Sequence, residues 1–136
     1  DLGIPLNTDS TLKGQTVFLA ERCAELMNND IITDRTVIDV MAFTMNAKSI
    51  GHYDKEIFES YAKEFIREYD YIFYISPHGI PMEDNGVRET DEHYRDIIDF
   101  TITTLIKKYG HMANKIEKIS GSTDERVEQI LKFTNL

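Results

Sequence analysis

The sequence predicts an α/β fold of three layers, in which a parallel sheet carries helices on both faces. Residues 71–75 form a continuous β-prone run without polar alternation, as in a parallel strand buried on both faces. A shorter apolar run at 30–34 is bounded by acids and predicts a second buried strand that ends at Asp34. Residues 116–119 predict a less apolar, outer strand. Because helical patterns alternate with these runs, we expect a ligand site beyond the carboxyl ends of the strands.

Three helices are predicted in the first half of the chain. The first begins at a Ser10 cap and continues to about Asn29, because apolar residues recur at helical spacing. The second follows the strand predicted at 30–34. The third spans about 57–69 with its apolar residues on one face, and we expect that face to cover the sheet.

Two further helices are predicted in the second half. One spans 94–109 and is expected to end at Gly110 in a left-handed cap. The other begins at Ser122, because Ser122 and Glu125 have the spacing of a capping box in front of an apolar pattern.

Length and composition indicate one domain that spans residues 1–136. The chain has 136 residues, 41% of them hydrophobic, which suits a single compact unit. A formal net charge of -9, without a basic cluster, disfavours nucleic acid as a partner. Cys23 is the only cysteine, so no disulfide can form within the chain and a cytoplasmic location is expected. No apolar run is long enough to cross a bilayer.

The run at 31–36, Ile-Ile-Thr-Asp-Arg-Thr, contains the residues that best suit a chemical role. Phosphoryl transfer needs a fixed anion near a metal ion and a cation near the developing phosphate charge. Asp34 and Arg35 at the end of a strand would supply both. The structural alternative is that Asp34 or Thr36 caps the following helix while Arg35 forms a surface ion pair.

This run is similar to the Asp-Arg-Tyr segment of thymidylate kinases and to the Asp/Glu-Arg-Ser segment of deoxynucleoside kinases. The chain looks closest to P-loop ATPases related to the nicotinamide riboside kinase domain. The resemblance implies that Asp34 helps to hold Mg²⁺ or accepts the substrate proton, and that Arg35 binds a phosphate or steadies the transferred group. It further implies a P-loop kinase-like fold that transfers the γ-phosphoryl group of ATP to a nucleoside, a nucleotide or a related small metabolite.

Residues 76–90 are rich in glycine, proline and charge, which disfavours both helix and strand. This segment resembles the lid of the same kinases, in which an arginine closes over the phosphates of ATP. Arg88 is the candidate for that role, because a lid must open and must carry a cation that acts when it closes. The alternative is a solvated loop in which Arg88 pairs with a neighbouring acid.

Two weaker signals concern the base and the substrate. Gly121, Ser122 and Arg126 resemble the strand-glycine-helix segment that lies beside the adenine in related kinases, although ordinary turn chemistry explains them equally well. Gln15 and Arg22 share a face of the first helix and resemble the glutamine-bearing substrate helix of deoxynucleoside kinases. The alternative for Gln15 is a position that faces solvent or the edge of the core.

The Gly-x-x-x-x-Gly-Lys-Ser/Thr phosphate loop that defines these kinases does not occur in the sequence. We therefore expect the first strand, this loop and the helix after it to stand before Asp1. Two other classes of function stay open, namely an inactive kinase-like interaction module and a regulatory NTPase. A sheet that lacks a strand would also favour association into a homodimer through its exposed side.

Overall fold

The structure is a computed structural model that describes residues 3–77 and 92–135. Within these ranges it has five α-helices and two β-strands. The helices are α1 (Leu12–Glu25), α2 (Val37–Met45), α3 (His52–Ala62), α4 (Glu92–Tyr109) and α5 (Thr123–Thr134), and the strands are β1 (Ile72–Ile75) and β2 (Ile116–Ile119). Short 3₁₀ turns occupy Asn7–Asp9, Lys63–Glu68 and Gly110–Met112.

The two strands are parallel, with Ile72 opposite Ile116 at the start and Ile75 opposite Ile119 at the end. The predictions of parallel strands in these two runs are therefore confirmed. Helix α4 lies between the strands in the chain, which gives a β-α-β unit.

Helices lie on both faces of this two-stranded sheet. The hydroxyl of Tyr74 on β1 donates a hydrogen bond to the carboxylate of Asp99 on α4. The ring of the preceding residue, Phe73, packs 6.4 Å from the ring of Phe133 on α5. Because neighbouring residues of a strand point to opposite faces, α4 and α5 cover opposite faces of the sheet.

The core is centred on α2 rather than on the sheet. Helices α1, α3 and α4 all pack against α2, and its side chains Val37, Met41 and Ala42 are fully buried. A helix that is apolar on nearly every side belongs in such a position. On β1, in contrast, Ile72 is buried while Ile75 is 41% exposed. The prediction that this strand is buried along both faces is therefore wrong.

The predicted strand at 30–34 is also wrong. This segment is a connection between α1 and α2 with no ladder partner in the described part of the chain, and Ile32 in it is 90% exposed. A strand needs hydrogen bonds from a neighbouring strand, and an apolar run alone cannot supply them. Asp34 consequently lies at an exposed bend rather than at the end of a strand.

The first helix differs from its predicted bounds at both ends. Thr11, not Ser10, is the N-cap, and its hydroxyl oxygen accepts a hydrogen bond of 3.1 Å from the amide of Gly14. Ser10 is buried outside the helix, where its carbonyl accepts a hydrogen bond from Ser49. The helix ends at Glu25 and does not continue to Asn29.

The third helix buries a different surface from the one predicted. Phe58 and Ala62 are buried, and α3 packs against α2 rather than over the sheet. Ile57 and Tyr61 are more than half exposed. The apolar spacing was compatible with more than one face, and the position of α2 decides which face is covered.

Helices α4 and α5 form where they were predicted, although the end of α4 differs from the prediction. Gly110 does not have the positive φ of a left-handed cap; it begins a 3₁₀ turn instead. The capping box of α5 is confirmed, because Ser122 accepts from the amide of Glu125 and the Glu125 carboxylate accepts from the amide of Ser122. None of the described helices combines the length and apolar content that a membrane span requires.

Candidate functional site

The candidate site surrounds the start of α2, where the Asp-Arg-Thr run enters the helix. Thr36 is the N-cap, and its hydroxyl oxygen accepts a hydrogen bond of 3.1 Å from the amide of Ile38. In return, the amide of Thr36 donates to the carboxylate of Asp39 at 2.8 Å. This reciprocal capping box holds the backbone that follows Arg35. Of the two predicted alternatives for the cap, Thr36 has that position and Asp34 does not.

A second restraint on this helix start comes from Tyr69, just before β1. The backbone amide of Val37 donates a hydrogen bond of 3.2 Å to the phenol oxygen of Tyr69. Tyr69 is only 8% exposed, and burial raises the pKa of its phenol to about 12. Tyr69 therefore stays neutral at physiological pH and connects the start of α2 to the segment that leads into the sheet.

Several charged groups influence Asp39 and Tyr69, the two residues that hold the start of α2. Burial raises the pKa of the Asp39 carboxyl, while the Thr36 amide and the charge of Arg35 oppose that rise and Asp34 adds to it. The pKa of Tyr69 is raised chiefly by burial; the hydrogen bond from Val37 and the charge of Arg22 oppose that rise, while the charges of Glu25 and Asp39 add to it. Arg22 and Asp39 both act on Tyr69, and Asp34 and Arg35 both act on Asp39, so electrostatic influences from α1 and from the Asp-Arg run meet at the start of α2.

Arg22 is held at the end of α1. Its guanidinium donates to the carboxylate of Glu25 and lies 3.8 Å from that of Glu21. These pairs direct the cation along α1 while leaving it partly exposed. Packing of α1 against α2 places Arg22 where its charge acts on Tyr69, while Asp34 and Arg35, which were predicted as a pair, act on Asp39.

The side chain of Arg35 also makes contact with an aromatic pair. Its guanidinium carbon lies 5.4 Å from the ring centroid of Phe43, in the range of a cation–π contact. The Phe43 ring lies 6.4 Å from that of Tyr94, in the first turns of α4. The Phe43 ring therefore connects Arg35 to Tyr94 at the start of α4. Helix α4 follows residues 76–90 in the chain.

Gln15 lies apart from these charges. It is 2% exposed, and its amide nitrogen donates to the hydroxyl of Thr44 at 3.1 Å and toward the carbonyl of Val40 at 3.4 Å. The side chain satisfies polar groups between α1 and α2. The amide that was expected to read a base edge is engaged inside the core, deeper than the solvent-facing or core-edge position given as the alternative.

The residues predicted to lie beside adenine form a separate group after β2. Gly121 has a φ of 98°, and a β-carbon there would lie 3.0 Å from the Glu125 carboxylate. Ser122 belongs to the α5 capping box, and Arg126 donates to the hydroxyl of Thr123 at 3.1 Å. These contacts are all local to the turn and its helix, which is the turn chemistry given as the alternative. Arg88, the candidate lid residue, lies outside the described residues.

Sequence reasoning missed two residues of the site. Asp39 stands three residues after Thr36, a capping-box spacing that the sequence does display. Tyr69 carries no comparable signal, because its partner Val37 is 32 residues away in the chain.

We expect Tyr69→Phe to destabilise the fold by about 1–2 kcal/mol, because it leaves the buried amide of Val37 without an acceptor. Chemical unfolding of the two proteins would measure the difference. Tyr53→Phe is the matched control, since Tyr53 is 67% exposed and the change should be close to neutral. Equal losses in both variants would mean that the hydrogen bond from Val37 contributes nothing specific.

The described residues form a mixed structure of helices and strands in which a parallel β-α-β unit lies beside a helical core, with an acid-arginine pair at the start of the central helix. Comparison with known protein families, with curated proteins and with solved structures gives no significant match to this chain. Its function is therefore inferred from its own residues and geometry.

Proposed function

We propose that this chain is part of a kinase that transfers the γ-phosphoryl group of ATP to a nucleoside, a nucleotide or a related small metabolite. The observation that carries the proposal is the position of the Asp34-Arg35 pair. The pair lies directly before a helix start that is held by the Thr36–Asp39 capping box and by Tyr69. A pair fixed in this way can present an anion and a cation to the same ligand without reorganising.

The environment of Arg35 supports a role in binding phosphate. Its guanidinium carbon lies over the Phe43 ring, and a guanidinium that contacts a ring by its face keeps its N–H groups in its own plane. These N–H groups suit the oxygens of a phosphate. Phe43 and Tyr94 connect Arg35 to the start of α4, and the proposed lid residue Arg88 precedes that helix in the chain.

The residues present fit a Mg²⁺ ion that enters with ATP. Magnesium is commonly held by one or two carboxylates, by water and by substrate phosphates, rather than by a complete protein cage. Asp34 offers one exposed carboxylate, and the described ranges contain no cluster of three or more His, Cys, Asp or Glu side chains for a cage. Bound there, the ion would neutralise phosphate charge, while Asp34 would orient it and Arg35 would hold a phosphate oxygen.

We assign Arg22 to the acceptor side, because it is a partly exposed cation whose charge acts on Tyr69 at the start of α2. Its guanidinium is paired with Glu25 and lies beside Glu21, so it would meet the acceptor as part of an ion-pair network rather than as an isolated cation.

The proposal is tested by single-turnover phosphoryl transfer from ATP to a panel of nucleosides and nucleotides, with the complete protein. We expect Arg35→Ala to slow transfer by about 10- to 100-fold and to weaken ATP binding less, because the contact strengthens as charge develops. Arg67→Ala is the control, since Arg67 is an exposed arginine bound only to Glu64 among the described pairs. Its transfer rate should match that of the wild type.

Three other outcomes would contradict the proposal. Hydrolysis of ATP without transfer to any acceptor would assign the chain to the regulatory NTPases. Absence of both ATP binding and turnover would favour the inactive interaction module. Equal transfer rates for Arg35→Ala, Arg67→Ala and wild type would remove Arg35 from the catalytic site.

A further inference from the structure

Helix α3 has an unusual distribution of apolar side chains. Phe58 and Ala62 are buried against α2, as expected for a surface helix. The opposite side also carries large apolar residues, at 67% exposed for Tyr53, 53% for Ile57 and 62% for Tyr61. We call these three residues the α3 stripe. They stand four residues apart, so they line one face of the helix over about 12 Å.

Scattered apolar residues on a surface are normal, but an aligned set at helical spacing is typical of a binding surface. Tyrosine is enriched at interfaces because it buries a large ring while its hydroxyl stays hydrated. The ring of Tyr61 is supported by an edge-on contact with Phe65 at 5.2 Å. This contact holds Tyr61 in place before any partner binds.

The helix beneath the stripe is rigidly attached to the rest of the fold. On another side of α3, the Glu59 carboxylate accepts hydrogen bonds from Lys108, at 2.7 Å, and from the hydroxyl of Tyr109, both at the end of α4. Although burial raises the pKa of Glu59, these two bonds together with the charges of Lys108 and Lys63 outweigh it, so that the pKa is lowered and the group stays ionised. A fixed helix loses little entropy when its outer face is covered.

The charges around the stripe indicate the kind of partner. The exposed carboxylates of α3 belong to Asp54 and Glu56, and that of Glu56 lies 2.9 Å from the imidazole of His52. Lys55 is the basic residue of the helix and is partly buried. The whole chain carries a net charge of -9. A basic partner would therefore be attracted over a distance, whereas a second copy of this chain would be repelled.

The area of the stripe also argues against self-association. Three side chains of this size and exposure offer on the order of 300–400 Å². A stable protein dimer usually buries roughly 800 Å² on each partner. A single amphipathic helix with apolar residues at intervals of three and four can dock on a surface of about 12 Å, the length of the α3 stripe.

We propose that the α3 stripe is a docking surface for a basic amphipathic helix of a partner protein. The apolar face of that helix would cover Tyr53, Ile57 and Tyr61. Its lysine or arginine side chains would lie beside Asp54 and Glu56. This surface is independent of the phosphotransfer site proposed above.

The test uses the complete protein and a fluorescently labelled synthetic helix of leucine and lysine, followed by fluorescence anisotropy. We expect Ile57→Ser to weaken peptide binding by at least about tenfold, because a buried apolar side chain is lost from the centre of the contact. Asp54→Lys should weaken it as well, and added salt should reduce the difference between Asp54→Lys and wild type. Phosphoryl transfer should be unchanged in both variants.

Two controls separate the stripe from general attraction to an acidic protein. Phe100→Ser removes an apolar side chain that is 71% exposed on α4, and it should bind the peptide as tightly as wild type. A peptide with glutamate in place of lysine should not bind. Circular dichroism confirms that each variant is folded, which is expected because the altered side chains are exposed.

The proposal is overturned if the peptide fails to bind, or if it binds wild type, Ile57→Ser and Phe100→Ser equally. It is also overturned if the glutamate peptide binds as well as the lysine peptide. A wild-type protein that sediments as a dimer, and an Ile57→Ser variant that sediments as a monomer, would assign the stripe to a second copy of the chain instead.

Discussion

Asp34→Asn should lower the rate of phosphoryl transfer by about 100- to 1,000-fold while leaving the fold intact. The substitution keeps the shape of the side chain and removes the charge that would orient Mg²⁺. Asp34 is exposed at a bend and does not take part in the α2 cap. The lower transfer rate should therefore not result from unfolding. Single-turnover transfer measured over a range of Mg²⁺ concentrations would show a lower maximal rate, with a higher Mg²⁺ requirement.

The control for this variant lies in the same connection. Asp30→Asn removes the same charge from another exposed position. The backbone of Asp30 has a φ of 56°, a conformation that asparagine adopts readily. The Asp30→Asn variant should transfer the phosphoryl group at the wild-type rate. If Asp34→Asn also retained the wild-type rate, Asp34 would have no role in the reaction and the Asp-Arg pair would be a structural feature of the helix start.

The largest effect on stability is expected from Met41→Ala, at about 2–5 kcal/mol of unfolding free energy. Met41 is fully buried in the middle of α2, where α1, α3 and α4 meet. Truncation removes apolar contacts and leaves a cavity that three helices cannot all move to fill. Urea unfolding, followed by circular dichroism, would measure the loss.

Met27→Ala gives the matched control, because Met27 is 85% exposed after the end of α1. The same chemical change should alter the unfolding free energy by about 0.5 kcal/mol or less there. A loss below about 1 kcal/mol for Met41→Ala would mean that α2 is not the centre of the core.

The features that sequence reasoning predicted well depend on neighbours in the chain. The runs that form β1 and β2 are β-prone, and the pattern of α4 is long and amphipathic. The cap of α5 needs only Ser122 and Glu125, which lie within one helical turn. Residues so close in sequence meet in the same way in almost any tertiary context.

The candidate site shows the limit of this reasoning. The sequence identified Arg22 and the Asp34-Arg35 pair as candidates, with a structural alternative for the pair. It could not show that Arg22 acts on Tyr69, because that depends on how α1 packs against α2. Tyr69 and Phe43 contact Val37 and Arg35 across distances in the chain that no local pattern predicts.

The sequence by itself determined the residue types available for chemistry, the strong negative charge, the two strands β1 and β2 and the position of the α5 capping box. Only the tertiary structure decided that residues 30–34 are an exposed connection, that Gln15 is buried between two helices, and that α3 turns Tyr53, Ile57 and Tyr61 outward. The physical reason is the same in each case. Apolar spacing indicates which residues can be buried. Whether they are buried depends on a partner from a distant part of the chain, which local spacing does not reveal.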